Sequence, residues 1–157
     1  MTTEGNPAAN AEVERLLRRL EEARASLMQA LEHADRSRFE EANNGESLKR
    51  MLERISDDIN FYYGRLVARA MSLPQPPCLQ KADFSSLREA TVALQVSHRR
   101  FSNLLHDLMP GDLERKGADP ELGTFTMRQI LEMLTAHYAL RAQQVARMPA
   151  ETPPAGT

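Results

Sequence analysis

Apolar residues recur along this chain at helical spacing. In a first window, 10–44, Val13, Leu16, Leu17, Leu20, Leu27 and Leu31 fall on one face of a 3.6-residue period. A second window, 46–73, carries Leu48, Met51, Leu52, Ile55, Ile59, Tyr62, Leu66 and Ala70. A third, 84–109, carries Leu87, Ala90, Leu94, His98, Phe101, Leu105 and Leu108, and a fourth, 125–148, carries Met127, Ile130, Leu131, Leu134, His137, Tyr138, Arg141, Val145 and Met148. Prolines and glycines cluster between these windows, and only Gly64 interrupts a periodic stretch. That separation matters because a proline inside a helix costs about 3 kcal/mol. Asn10 suits an N-cap, with Glu12 and Glu14 in the first turn. Ser86–Glu89 and Thr126–Gln129 have the form of capping boxes. No sustained apolar/polar alternation occurs, so no strand is expected.

Four helices with one apolar face each bury those faces as a four-helix bundle, an all-α fold. The bundle is one domain over 10–148, with disordered tails at 1–9 and 149–157 and a frayed end plus loop over 35–45. The connections between helices 2 and 3 and between helices 3 and 4 are longer than tight hairpins need. The latter has room for a short extra turn near 111–116.

With 157 residues, 41% hydrophobic and 27% charged, the chain is long enough for one core and apolar enough to fill it. A net charge of −2 argues against a nucleic-acid binder, and the many arginines alternate with acids, as in EVERLLRRLEEAR. No apolar run reaches the ~18 residues of a membrane span, and MTTEGNPAANAEVERLL lacks the order of a signal peptide. A single cysteine, Cys78, leaves no internal disulfide and no multi-cysteine zinc site. A cytoplasmic location is expected.

Candidate chemistry lies in polar residues on apolar stripes. His98 sits mid-stripe in the third window, while His137 and Arg141 stand four apart on one face of the fourth. Arg54 flanks the second stripe, with Asp57 and Asp58 a turn on. The plain alternatives are a hydrogen-bonded core histidine, a snorkelling boundary arginine, and an Arg54–Asp58 pair at i+4. The aromatic run 61–63 suits core or interface, and His33 and His106, beside charged residues, suit solvent.

The string TMRQILEMLTAHYALRAQQVARM (126–148) resembles the last helix of the DinB-like (DinB/YfiT) superfamily. ESLKRMLERISDDINFYYGRL (46–66) looks like that family's second helix, and SSLREATVALQVSHRRFSNLLHDLMPGDL (85–113) its third. The resemblance spans about 10–148. It implies an up-down-down-up bundle with one divalent metal, zinc or nickel, held by three histidines; some members are thiol-dependent transferases or isomerases. Carried over by position, the first histidine of the last helix is His137 and the second falls on Arg141. The helix-two histidine falls on Arg54, and the family glutamine is Gln144.

Arginine stays protonated and does not ligate a cation. The metal site is therefore expected to be lost. Arg54, His137 and Arg141 would converge at the old site, compensated by Asp57, Asp58 or Glu132, in a non-catalytic, metal-free binding or dimerising module. A small anionic ligand would suit the two guanidinium groups, and a homodimer through helix one or the 61–63 segment is expected. The alternative is a metal-dependent thiol transferase or isomerase with unorthodox ligands, His137 and His98 with Asp58 or Glu132.

Overall fold

A computed structural model describes residues 7–42, 45–74 and 80–148. α1 spans Pro7–Glu32. It starts three residues before the expected Asn10 cap, because proline is well tolerated in a first helical turn, where its missing N–H is not needed. Residues 7–9, expected in a disordered tail, are thus helical; 1–6 and 149–157 lie outside the described residues, as does Cys78. Val13, Leu16, Leu20, Ala23, Leu27 and Leu31 are its buried face. The stretch after it is more regular than the expected fraying. Asp35 caps a 3-10 turn at Arg36–Arg38 by accepting the Ser37 N–H, and Phe39 is buried.

The second rod of the bundle is composite. α2, Leu48–Asp58, leads into a π-helical segment, Ile59–Tyr63, and then α3, Gly64–Ala70. The widened turn closes where the Gly64 N–H donates to the Ile59 carbonyl, and a Cβ on residue 64 would lie 2.9 Å from that oxygen. Gly64, the one glycine in a periodic window, therefore marks a π turn, a feature frequent at functional sites. The chain then returns along α2: Lys49 Nζ donates to Glu53, Asp83 and the Phe84 carbonyl, Glu53 accepts the Phe84 N–H, and Asp57 accepts the Ala82 N–H.

α4 spans Leu87–Leu104, capped by Ser86, and α5 spans Met127–Ala146, capped reciprocally by Thr126 and Gln129. α1 lies along α5, and α2 along α4. Leu52, Ile55, Leu66, Ile130, Leu131 and Leu134 are fully buried at the centre. The four-helix bundle expected from periodicity is the observed fold. Among the described residues no helix is long and apolar enough to cross a membrane.

The expectation of no strand needs correction. The long connection before α5 holds a 3-10 turn, Pro110–Glu114, near the expected extra turn, and then an antiparallel hairpin, β1 (Lys116–Asp119) and β2 (Gly123–Thr126). Four-residue strands are too short to show alternation. Their order comes from α3: Gly117 packs so closely that a Cβ there would lie 2.3 Å from the Leu66 carbonyl. Arg69 donates to the Ala118 carbonyl, and Arg115 to that of Ala70.

Candidate functional site

The structure gives the residues that the sequence groups together different partners. His137 on α5 meets Asp58 at the end of α2, with Nε2 3.3 Å from Oδ2. The approach is close but poorly aligned, so His137 Nε2 is buried with no hydrogen bond of good geometry. The imidazole also lies 5.9 Å, centroid to centroid, from the Tyr63 ring. Arg54 does not pair with Asp58. Its guanidinium lies 2.5 Å from Glu46, beyond the start of α2, and is half exposed. Arg141 donates to Gln144 at 2.8 Å, while its Nε is buried and unpartnered.

His98 belongs to a different cluster. Its Nδ1 is 2.9 Å from the buried Tyr138 hydroxyl, and its Nε2 is 3.5 Å from Glu21 on α1, which Arg24 also holds. Burial pushes His98 down to about 4, with help from Arg24 and against Glu21. The cost of stripping water from an imidazolium thus exceeds the pull of a half-exposed carboxylate. The compensation expected at the old site is also distributed differently. Asp57 holds the loop before α4, Glu132 lines a separate surface groove with Arg19, and only Asp58 faces His137. His33 and His106 are exposed, as expected.

An open groove of about 600 Å³ lies beside the Asp58–His137 pair. Asp58, the π segment and α3 form one wall, through Phe61, Tyr62, Tyr63, Arg65 and Arg69. The hairpin turn forms the other, through Asp119, Pro120, Glu121 and Leu122. Arg65 stacks over Phe61 at 5.2 Å, and Arg69 is held by the Ala118 carbonyl and Asp119. The Asp119 carboxylate accepts the Glu121 and Leu122 N–H groups, which fixes the turn. Burial, with Asp58 nearby, pushes the Tyr63 phenol up to about 12, and Tyr62 is raised for the same first reason. Both phenols are neutral donors at neutral pH. Arg54, His98 and Arg141 do not line this groove.

The solved structure of YfiT from Bacillus subtilis, described as a probable metal-dependent hydrolase with an unusual four-helix bundle topology, matches this chain with a TM-score of 0.64. The match covers 94% of this chain and 91% of that one, at 18% identity. The fold is that of YfiT. No protein-family model matches the chain, and no curated protein matches it.

A divalent metal would need a converging donor set, and the positions that the resemblance assigns offer one imidazole among the described residues. Zinc at a catalytic site takes three protein ligands from imidazole, thiolate or carboxylate. The three positions assigned by resemblance are Arg54, His137 and Arg141, and two of these are permanent cations. Among the described residues no three His, Cys, Asp or Glu side chains gather to hold a metal ion. Asp58 and His137 are only a pair.

The groove walls were not legible as a site. Tyr62, Arg65, Arg69, Asp119 and Glu121 come together only because the hairpin folds onto α3. The available signal was Gly64 inside a periodic helix, followed much later by the turn-forming sequence Asp119-Pro120.

Proposed function

We propose that this chain is a metal-free, non-catalytic binding module on a YfiT-type bundle, and that the groove beside Asp58 and His137 holds its ligand. The observation that carries this is the chemistry at the three resemblance-assigned positions: one imidazole beside Asp58, one guanidinium paired with Glu46, and one bound to Gln144. Of the two guanidinium groups expected to hold an anion, Arg54 is paired with Glu46 and Arg141, whose buried Nε has no partner, does not line the groove. The groove volume lies within the range of small-molecule sites. We further propose a homodimer, and exposed Val92 and Val96, one turn apart on α4, offer an apolar face for it besides helix one and the 61–63 segment expected from sequence.

Elemental mass spectrometry on tag-free protein, as purified and after zinc or nickel loading, tests the metal-free claim. Less than about a tenth of an equivalent is expected, since a site with one imidazole and one carboxylate is far short of the usual ligand count. Near one equivalent would overturn it and direct attention to thiol-dependent chemistry, with His137 and His98 as the first residues to replace. Light scattering tests the dimer: a mass of 17.7 kDa, that of the single chain, would refute it.

A further inference from the structure

The groove is lined by three carboxylates and two guanidinium groups, and these are unequally committed. Arg69 is bound to the Ala118 carbonyl and to Asp119, and Arg65 is stacked on Phe61. Among the described residues, by contrast, neither Asp58 nor Glu121 has a lysine or arginine at ion-pair distance; Asp58 has only His137. Arg65, like Asp58 and Glu121, has no oppositely charged lysine, arginine or carboxylate partner among the described residues, so three carboxylates against two guanidinium groups leave the groove one negative charge in excess beside an aromatic surface.

Tyr62 is central to this arrangement. Its ring is half-buried in the groove and tilted against Tyr63 at 4.7 Å. It lines the groove with Asp58 on one wall and Asp119 and Glu121 on the other, and burial first, then Asp119 and Asp58, raise its phenol. An aromatic face flanked by carboxylates stabilises an organic cation through the ring quadrupole and charge together. An inorganic divalent ion needs a set of three or more converging donors, and none gathers among the described residues.

We propose that the ligand of this groove is a small organic ammonium ion, countered by Asp58 and Glu121 and seated against Tyr62. The inference rests on the groove being the binding site and adds the sign and class of what it takes. Asp58 is then a binding residue beside His137, and Glu121 lines the site from the hairpin.

The test is a titration of the ¹⁵N-labelled full chain with benzyltrimethylammonium chloride and, separately, sodium benzoate, at constant ionic strength. The cation is expected to shift the amides of Tyr62, Glu121 and His137 saturably, and benzoate is expected to leave them in place. Asp58→Asn, nearly isosteric, is expected to weaken the cation about fivefold, the size of one cation contact of about 1 kcal/mol. Glu121→Gln, on an exposed turn where folding is not at stake, is expected to weaken it less. Unchanged affinity in both variants would overturn the proposal. Benzoate binding at the same amides would overturn it while leaving the groove as the binding site. If neither probe shifts these amides, the ammonium proposal and the assignment of the groove fall together.

Discussion

Lowering the pH should destabilise this protein through His98 before its carboxylates titrate. His98 is 7% exposed and meets Tyr138, Phe101 and Glu21. Two effects compete there. Burial and Arg24 disfavour the imidazolium, and Glu21 at 3.5 Å favours it. Glu21 is more than half exposed, so water screens its pull, and burial dominates. With the folded-state value near 4 and the ordinary one at 6.5, the unfolded chain binds the proton first. Stability is then full above pH 6.5 and is lost as the pH falls toward 4. At pH 5 the gap from 6.5 is about 1.5 units, and at 1.36 kcal/mol per unit the loss is about 2 kcal/mol. Glu21, held below the usual carboxylate range by Arg24, stays ionised over this interval. The assay is urea unfolding at pH 7.5 and pH 5.0 for the wild type and His98→Gln. The variant is less stable at pH 7.5, having lost packing and the Tyr138 contact. Its drop between the two pH values should be smaller than the wild type's by about 2 kcal/mol. Equal drops would refute the reasoning, and a wild type that gains stability on acidification would show that the Glu21 pair outweighs burial.

Three further outcomes are expected. Gly117→Ala places a methyl 2.3 Å from the Leu66 carbonyl, a backbone atom that cannot swing aside, so the hairpin should detach or strain; a loss of about 1–3 kcal/mol in a thermal melt is expected, and wild-type stability would count against the close approach. Gly64→Ala meets the Ile59 carbonyl at 2.9 Å and should disturb the π turn, read as altered tyrosine near-ultraviolet dichroism from Tyr62 and Tyr63; an unchanged spectrum would sink that link. Arg54→Met should leave groove binding and stability nearly unchanged, because its pair with Glu46 is half exposed and outside the groove, and such pairs contribute about 0–1 kcal/mol; specific loss of a ligand would place Arg54 at the site after all.

The bundle was readable from local pattern because a helix writes its buried face into the chain at fixed spacing. Leu16, Leu20 and Leu27, or Ile130, Leu131 and Leu134, need no distant partner to declare an apolar stripe. Ser86 and Thr126 likewise announce helix starts through bonds made within three residues. Strands of four residues carry no such period, and the hairpin owes its place to Gly117 fitting against α3, a contact between positions far apart in sequence. The same limit governs the site. Spacing put His137 and Arg141 on one helix face, and resemblance aligned Arg54 with them. Which atoms face one another depends on side-chain direction and on competing partners. Arg54 pairs with Glu46, Tyr138 and Glu21 hold His98, and Asp58 is the carboxylate that meets His137. Charge pairing is decided by which carboxylate lies within a few ångströms once the helices pack, and a linear pattern does not carry that distance.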